Sequence, residues 1–578
     1  MGCLRLRRTL VARMPTGGLD QTMPEVAQFV PHRGGPLVLE LDLTEPLAQG
    51  TPTDPISAFV QRRQARLKDV LDGLRRAADD DRVRSVVAKI GSARMGFARG
   101  QELRDAVLAF RRSGKPAIAW AESFGEWSPG LVPYYLATAF DEIWLLPIGD
   151  VTFNGVTMGS PFLRGALDRL DVEPQLGQRH EYKSAADLFL RSSFSDAHRE
   201  AIQQVATSVF DQVVSAVAES RSLPASRVRE LVDQAPISAE DALAAGLVDR
   251  IGYRDELYAE VRKRTGAAAK LLYLARYTHS GLPTPPRAVR RPRTVALIWG
   301  LGGIGTGKSA RRPDGQRMGS DTITAAFRAA VADKRVEAIV FRVDSPGGSA
   351  VASDVVWREV KQARAAGKPV VVSMGDVAGS GGYYVAMGAD AIVAEPATIT
   401  GSIGVLAGKV VTDGLLNRLG ITYDSVALGG LARMFSTRQS YSPAELDALN
   451  RWLDRIYETF VGKVADGRGM SREAVHAVAK GRIWTGADAR DRGLVDELGG
   501  LDHAIELARR RAGIPAGAEV DVVSYPAVSP LARVRPPRSS ESPGAADAAM
   551  WTGWASFAGL AARLGLPAAG PLTMPWVP

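Results

Sequence analysis

The sequence predicts an α/β protein built from two copies of one domain. Short apolar runs typical of buried strands alternate along the chain with segments of helical periodicity, which is the pattern of an α/β fold. The chain has 578 residues, of which 46% are hydrophobic, so it holds enough apolar material for two cores. Short motifs also recur in the same order at a nearly constant spacing, and this indicates a tandem duplication.

The repeat is carried by motifs that lie 246 to 253 residues apart. The matching pairs are Arg82-Val83 with Arg335-Val336, Gly114-Lys-Pro116 with Gly367-Lys-Pro369, Tyr134-Tyr135 with Tyr383-Tyr384, Gly155 with Gly401, and Gly246-Leu-Val-Asp249 with Gly493-Leu-Val-Asp496. Because their order is kept, we infer a repeating unit of roughly 230 residues, the size of one large α/β domain.

The second copy contains a candidate nucleophile, Ser380. It stands in a Gly-rich segment, residues 375–384, which follows the apolar run 369–373. The pattern predicts a buried strand, a sharp turn permitted by Gly375 and Gly379, and then a helix. At such a junction the backbone N–H of Gly381 would point towards an oxyanion formed when the serine hydroxyl attacks a carbonyl. The alternative is an ordinary N-cap serine on a Gly-rich turn.

A serine nucleophile needs a base, and Lys183 is the candidate. The chain has only six histidines, none in a setting typical of a catalytic triad. A lysine amine can accept the serine proton if burial lowers its pKa. Lys183 is the only lysine between Lys115 and Lys263. The alternative is a solvated surface charge.

The two copies complement each other at these positions. Alignment of the Tyr-Tyr motifs places Leu131 opposite Ser380, so the first copy lacks the nucleophile. In the second copy no lysine occurs between Lys409 and Lys463, where the partner of Lys183 would fall. We therefore expect one composite active site at the interface between the two domains.

The chain resembles the signal peptide peptidase A family, in the long form also called protease IV. The motifs that carry the resemblance are Asp344-Ser-Pro-Gly-Gly-Ser349, Met374-Gly-Asp-Val-Ala-Gly-Ser-Gly-Gly-Tyr383, Thr400-Gly-Ser-Ile-Gly-Val405, Tyr182-Lys-Ser184 and Gly481-Arg-Ile-Trp-Thr-Gly-Ala487. It covers most of residues 36–510. The resemblance implies two tandem ClpP/crotonase-like domains, a membrane-linked serine protease, Ser380 as nucleophile, Lys183 as general base, and a homo-oligomer, a tetramer in this family.

Three further residues are candidates for the site. Gly347 and Gly348 follow a predicted strand, and adjacent glycines let the backbone approach a ligand closely. Either could donate a second oxyanion N–H and pair with an extended substrate. Ser402 lies in another Gly-flanked turn and could orient the Lys183 amine, although a serine that only stabilises the turn is an open alternative.

A competing motif, Gly302-Gly-Ile-Gly-Thr-Gly-Lys-Ser309, matches the phosphate-binding loop of nucleotide hydrolases. That mechanism needs a helix that begins at Lys308-Ser309, with its N-terminus aimed at the phosphates. Residues 310–315 instead contain Pro313 and Gly315, which break a helix. The matching part of the first copy has no such loop. A P-loop NTPase is therefore the less favoured alternative.

Composition predicts the domain plan and excludes several classes. We expect a basic N-terminal extension at 1–35, a first repeat at 36–280, a Pro/Arg-rich linker at 281–293, a second repeat at 294–525, and a flexible tail at 526–578. A single cysteine excludes intrachain disulfides and cysteine-based metal sites. No metal-binding motif is recognisable, so neither a metal nor another cofactor is expected.

The charge pattern favours a membrane surface as partner. The formal net charge is +9, with no recognisable module for reading nucleic acid. No apolar run near 18 residues occurs at the N-terminus, so we expect no transmembrane helix there and a protein that is either peripheral on a membrane or cytoplasmic. The tail has a short apolar helical pattern, suited to a membrane interface or to packing on protein. Its residues are Trp551, Trp554, Phe557, Leu560 and Leu564.

Taken together, these patterns predict a serine endopeptidase that cleaves signal peptides or other apolar peptides. The main alternative is a non-catalytic ClpP/crotonase-like scaffold, which would share the fold and differ only in where Lys183 lies. The distance from Lys183 Nζ to Ser380 Oγ discriminates between these two functions.

Overall fold

The computed structural model describes residues 35–50, 64–91, 95–279, 293–312, 315–516, 518–526 and 572–573. The predicted N-terminal extension, linker and tail lie almost entirely outside the described residues. The apolar helical pattern from Trp551 to Leu564 lies wholly outside them.

The first half of the chain alternates strands and helices. Its strands are β1 (Leu37–Leu43), β2 (Val83–Ile90), β3 (Ala117–Ala121), β4 (Glu142–Leu145), β5 (Asp150–Val151), β6 (Glu173–Gln178), β7 (Ile237–Ser238), β8 (Arg250–Ile251) and β9 (Lys270–Tyr273). Its helices are α1 (Leu67–Asp79), α2 (Phe97–Arg111), α3 (Leu131–Ala137), α4 (Arg164–Arg169), α5 (Asp187–Leu190), α6 (Asp196–Arg221), α7 (Ala225–Asp233), α8 (Ala239–Ala244), α9 (Arg254–Thr265) and α10 (Leu274–His279). A short 3-10 turn, Ser184–Ala186, precedes α5.

The second half repeats this alternation. Its strands are β10 (Arg293–Leu301), β11 (Gly303–Gly305), β12 (Ala310–Arg312), β13 (Gly315–Gly319), β14 (Val336–Ser345), β15 (Gly347–Gly348), β16 (Val370–Gly379), β17 (Ala391–Ala394), β18 (Ile399–Gly401), β19 (Leu406–Val411), β20 (Ile483–Thr485), β21 (Glu497–Leu498), β22 (Val520–Tyr525) and β23 (Leu572–Thr573). Its helices are α11 (Ser320–Ala332), α12 (Ala350–Ala365), α13 (Gly381–Ala386), α14 (Asp413–Arg418), α15 (Pro443–Arg468), α16 (Arg472–Val478), α17 (Gly486–Asp491) and α18 (Leu501–Arg511).

The two halves contain parallel sheets of the same topology. The first sheet has the order β8-β4-β3-β2-β1-β9, with every neighbouring pair parallel. In the second half the corresponding path is β21-β17-β16-β14-β10-β22, again parallel throughout. Parallel neighbours need crossover connections, and the intervening helices supply them. The predicted α/β class with internal duplication is confirmed.

The halves also repeat individual side-chain contacts. In the first half the Tyr134 hydroxyl donates to the Leu247 carbonyl at 2.8 Å, and in the second half the Tyr383 hydroxyl donates to the Leu494 carbonyl at 3.0 Å. Likewise, the ion pair Arg221–Asp249, at 2.7 Å, corresponds to the ion pair Arg468–Asp496, at 2.6 Å. Both contacts of each half involve its Gly-Leu-Val-Asp motif, and they lie at matching positions in the two halves. The sequence repeat therefore preserves a tertiary contact as well as a local pattern.

The second sheet separates two hydrophobic cores. Along β10, Val295 and Leu297 face one core, whereas Ala296 and Ile298 face the other. This alternation follows from the two-residue period of a strand whose two faces are both covered. The first of these cores also contains the residues on one face of the first-half sheet, such as Leu39 and Val86, whereas Val38 and Val87 on its other face belong to a separate cluster. The two halves are thus packed together through a shared apolar layer.

Polar contacts fix the halves to each other as well. Strand β6 of the first half pairs antiparallel with β19 of the second, from Glu173 opposite Val411 to Gln178 opposite Leu406. Elsewhere in the interface the Arg342 guanidinium donates to both carboxylate oxygens of Glu102, at 3.1 and 2.8 Å. Both side chains are almost fully buried. The interface is consequently specific in register and not merely apolar.

Strand β16 extends further than the sequence predicts. The turn expected from Gly375 and Gly379 does not occur before Ser380, because the strand continues to Gly379. Gly375 serves a different need: a Cβ atom there would lie 2.7 Å from the Asp344 carboxyl carbon. The Val377 N–H donates to that carboxylate. A glycine that appeared to permit a turn permits a close side-chain approach instead.

Candidate active site

Ser380 stands at the junction between β16 and α13. Its backbone angles are φ 55° and ψ −114°, a conformation that is unusual for a residue with a side chain. It is the N-cap residue of α13, yet its side chain makes no capping hydrogen bond. The Ser380 N–H donates to the Gly401 carbonyl at 2.8 Å. The hydroxyl is thus held away from the helix N–H groups, unlike that of an ordinary N-cap serine.

Lys183 meets Ser380 across the domain interface. The Lys183 Nζ atom lies 2.7 Å from Ser380 Oγ. The same amine lies 3.0 Å from Ser402 Oγ and donates to the Ser402 carbonyl at 3.1 Å. All three side chains are fully buried. The structure therefore brings together the three polar residues that the sequence singled out from the two halves.

The paired strands β6 and β19 explain how residues so far apart in the chain meet. Strand β6 ends five residues before Lys183, and β19 begins four residues after Ser402. The Arg179 N–H continues the pairing by donating to the Val405 carbonyl at 3.0 Å. The segment that carries Lys183 and the segment that carries Ser402 therefore both extend from the β6–β19 pair towards Ser380.

The surroundings of Lys183 favour its neutral form. Burial lowers the pKa of the Lys183 amine well below its usual value of 10.5, because the ammonium would lose its hydration. Its polar partners in the structure are the uncharged serine groups of Ser380 and Ser402. A surface-charge interpretation of this lysine is therefore wrong.

Gly381 and Gly348 approach each other beside Ser380. A Cβ atom on Gly381 would lie 3.0 Å from the Gly348 nitrogen and 3.1 Å from Gly347 Cα. The Gly347 N–H already donates to the Ser345 hydroxyl, at 3.1 Å. Gly347 and Gly348 have φ angles of 100° and 154°, the first of which favours glycine strongly. The backbone can thus come close to the serine only with glycines here.

The Gly347–Gly348 strand, β15, lies between two other segments. On one side Ile304 of β11 pairs with Gly348, and the Ser349 N–H donates to the Ile304 carbonyl at 2.9 Å. On the other side the C-terminal residues Leu572–Thr573 pair with it in antiparallel orientation. The strand beside Ser380 therefore accepts an extended backbone.

The Gly302–Ser309 motif does not form a phosphate-binding loop. Strand β12 follows Ser309, and the next helix begins only at Ser320. The Ser309 N–H donates to the Thr322 hydroxyl, and the Ser309 hydroxyl accepts from the Gly319 N–H. Gly303–Gly305 instead supports β15, so the glycines of this motif contribute to the wall of the site.

The histidine closest in sequence to Lys183 has a packing role in the structure. The His180 ring lies 4.5 Å from the ring of Tyr457 and 4.8 Å from that of His476. Tyr457 Oη is within 2.9 Å of His476 Nδ1. Burial and the neighbouring His476 lower the pKa of His180.

Two residues of the site escaped the sequence analysis, Gly481 and Arg482. A Cβ atom on Gly481 would lie 2.5 Å from Lys183 Cα. The Arg482 carbonyl accepts the Ser402 N–H at 2.7 Å, and the Arg482 guanidinium reaches Tyr182, next to Lys183. Both belong to the motif 481–487, and the sequence of that motif indicates no role for either residue.

Neither a metal centre nor a membrane-spanning helix is found among the described residues. Within these ranges, no three His, Cys, Asp or Glu side chains are grouped in a way that could hold a metal ion. The helices in the same ranges are too short or too polar to cross a bilayer.

Both halves of the chain are similar to known proteins. The family model described as "Peptidase family S49" matches residues 109–268 and 362–515, one region in each half. The chain is 32% identical to "Serine protease SPPA, chloroplastic" of Arabidopsis thaliana, over 78% of this chain and 66% of that protein. It is 33% identical to "Protease 4" of Salmonella typhi, over 77% of this chain and 72% of that protein. A ClpP1 variant from Listeria monocytogenes is similar in structure with a TM-score of 0.23 and 14% identity, over 36% of this chain and 94% of that one.

Proposed function

Because this chain belongs to peptidase family S49, we propose that it is a serine endopeptidase whose nucleophile is Ser380 and whose general base is Lys183. The observation that carries the proposal is the 2.7 Å contact between Lys183 Nζ and Ser380 Oγ in a fully buried setting. That distance is short enough for direct proton transfer. A scaffold without activity would have no need of a desolvated amine at a strained serine.

The hydrogen-bonding capacity of a neutral amine supports this assignment. Such an amine has two N–H donors and one lone pair. The two donors fit the Ser402 carbonyl and the Ser402 hydroxyl, at 3.1 and 3.0 Å. The lone pair is then directed to the Ser380 hydroxyl, from which it accepts a hydrogen bond. Ser402 is accordingly the residue that orients the base.

The reaction follows from these positions. Ser380 Oγ attacks the scissile carbonyl carbon while its proton passes to Lys183 Nζ. The resulting oxyanion accepts hydrogen bonds from the Gly381 N–H and the Gly348 N–H; the Gly347 N–H is engaged by Ser345. The Lys183 ammonium next donates its proton to the leaving amine, which breaks the C–N bond. The Lys183 amine, neutral again, then deprotonates a water molecule, whose oxygen attacks the acyl-serine ester. Ser380 Oγ leaves and takes the proton from Lys183, which restores both residues.

The substrate that we propose is an extended, apolar peptide, such as a signal peptide. The antiparallel pairing of Leu572–Thr573 with Gly347–Gly348 supports strand addition as the mode of binding. Apolar side chains stand exposed between α14 and α15, among them Leu419, Val426, Leu428 and Phe435. They support contact with an apolar surface, and we propose peripheral association with a membrane and assembly into a homo-oligomer.

The test is hydrolysis of an apolar peptide together with labelling by a serine-reactive fluorophosphonate. Wild type should be labelled at Ser380, and the Ser380→Ala and Lys183→Arg variants should lose turnover while keeping the wild-type far-UV circular dichroism. A guanidinium stays protonated and cannot act as base. Retained turnover in Ser380→Ala would refute the nucleophile assignment. A wild-type protein that neither hydrolyses peptides nor reacts with the probe would instead indicate the non-catalytic scaffold.

A further inference from the structure

We infer that Arg482 is a positioning residue for this site, which holds the domain that carries Lys183 against the domain that carries Ser380 and Ser402. The inference rests on the proposed function, since it concerns how the base is presented to the nucleophile. Arg482 immediately precedes β20 in the second half of the chain.

Among the described residues, the hydrogen bonds of the Arg482 side chain go to first-half partners. Its guanidinium donates to the Tyr182 hydroxyl at 3.1 Å and to the Gln204 side-chain carbonyl at 2.6 Å. It also forms an ion pair with Glu200, 2.7 Å away. The Tyr182 hydroxyl donates to the other oxygen of Glu200, at 2.9 Å. Because Tyr182 directly precedes Lys183, this network anchors the loop that presents the base.

The Arg482 backbone binds the other side of the site. Its carbonyl accepts the Ser402 N–H at 2.7 Å, and the preceding N–H, that of Gly481, donates to the Ile403 carbonyl at 2.8 Å. Ser402 is the residue whose carbonyl and hydroxyl contact the Lys183 amine. Arg482 therefore contacts the loop that carries Lys183 through its side chain and Ser402, which orients Lys183, through its backbone.

The surroundings of the guanidinium suit arginine and not lysine. Its carbon Cζ lies 4.8 Å from the centre of the Tyr182 ring and 4.6 Å from the centre of the Trp484 ring. The side chain is only 15% exposed. A planar guanidinium holds its donors in a fixed fork and can stack on rings while it binds three partners, whereas an ammonium is a point charge on a flexible stem and does not fix this geometry. Replacement by lysine should keep the charge and lose most of the positioning.

Loss of this contact has two measurable consequences. The Tyr182–Lys183 loop would no longer be fixed relative to Ser380, and displacement of a reacting group by about 1 Å can reduce a rate by 10²-fold. Water would also reach the amine more easily. Because the depressed pKa of Lys183 arises from burial, hydration would raise it and move the acid limb of the rate profile to higher pH.

The experiment compares Arg482→Met with a matched control, Arg492→Met. Arg492 also stacks on Trp484, at 3.8 Å, but its hydrogen bonds go to Asp488 within the second half. For Arg482→Met we expect kcat for an apolar peptide to fall roughly 10- to 100-fold, with a smaller change in KM and an acid limb at higher pH. Arg482→Lys should fall between that variant and wild type. Arg492→Met should keep the wild-type kcat and the wild-type limb.

An Arg482→Met enzyme with wild-type kcat and an unmoved acid limb overturns the inference, even if its unfolding temperature is lower. Should Arg482→Met fail to fold, Tyr182→Phe replaces it, since it removes a single hydroxyl; it should shift the limb in the same direction, and an unshifted limb there overturns the inference equally. Labelling by the fluorophosphonate distinguishes a failure of the proposed function from a failure of the positioning role. No labelling of wild type at Ser380 refutes the proposed function, whereas labelled wild type with equally fast labelling of Arg482→Met refutes the positioning role alone.

Discussion

Gly481 lies directly against Lys183, so that a Cβ atom on Gly481 would sit 2.5 Å from Lys183 Cα. Real Cβ atoms do not approach a backbone so closely, and neither of these backbone segments can yield without moving the lysine. Gly481 also has a φ angle of 85°, in the region that favours glycine. Lys183 can reach Ser380 only because Gly481 has no side chain.

Gly481→Ala should therefore lose at least about 90% of its peptidase activity, since displacement of the base costs rate steeply. Its control is Gly367→Ala: Gly367 has a φ angle of 77°, but a Cβ atom there would have no neighbouring atom within 4 Å. Backbone strain should cost each variant about 1 kcal/mol of stability, and the clash with the Lys183 backbone should destabilise Gly481→Ala further. Hydrolysis rates and thermal unfolding of the two proteins provide the measurement. Equal activities would show that the contact with Lys183 does not matter.

The rate of hydrolysis should rise with pH through the titration of Lys183. On the proposed mechanism the neutral Lys183 amine is the active form, and its pKa lies well below 10.5 because the group is buried. The limb should consequently appear below pH 10.5 and belong to lysine. His180→Ala should keep the limb, while Lys183→Ala should lose the activity. If the effects of these two substitutions were exchanged, His180 and not Lys183 would be the base.

Stability should depend on pH through the same lysine. Its pKa is lower in the folded than in the unfolded state, so between the two values the unfolded chain binds more protons. Stability due to this group is therefore greatest above pH 10.5 and declines as the pH falls towards the folded pKa. Measured by urea unfolding from pH 7 to 10, wild type should gain stability relative to Lys183→Met as pH rises. A constant difference between them would contradict a desolvated lysine.

Glu102→Gln should destabilise the protein by about 3 kcal/mol or more, because it removes the carboxylate that is ion-paired with the buried Arg342 cation. The urea midpoint measures this loss. Glu230→Gln is the matched control: it removes the partner of Arg227 in an exposed ion pair, which should contribute little. Similar midpoints for the two variants would mean that the buried pair does not hold the halves together.

Lys308→Ala should cleave peptides at a rate close to wild type. Lys308 lies in a loop that leads into β12, and no helix N-terminus follows it in the described residues around the motif. Peptide hydrolysis and equilibrium binding of ATP are the two measurements. A large loss of activity together with saturable ATP binding in wild type would restore the nucleotide hydrolase as a candidate.

The sequence predicts the main residues of the candidate site, but it does not predict the contacts that hold those residues in place. Ser380 and Lys183 could be found because a duplicated chain allows each half to be compared with the other, and each candidate is missing from the opposite copy. The contacts of Arg482 with Tyr182 and Gln204 join positions about 300 and 278 residues apart. No local pattern encodes such a distance, so these contacts became visible only in three dimensions.

Local patterns also left the use of individual glycines undecided. Gly375 reads as a turn residue in the sequence, but the backbone stays extended there and the missing side chain makes room for Asp344. Gly347 and Gly348 are equivalent by pattern, and the hydroxyl of Ser345 distinguishes them by engaging one N–H. In both cases the deciding atom belongs to a side chain on another strand or turn.

The division of the site between two halves also bears on the synthesis of the protein. Lys183 is translated 197 residues before Ser380, and domains fold as units while the chain is being made. A nascent chain that has completed only its first half holds the proposed base without the proposed nucleophile. Once Ser380 has been made, the proposed pair still needs β19 to be made and to pair with β6. On the proposed function, the nascent chain therefore cannot cleave a neighbouring polypeptide before its two halves meet.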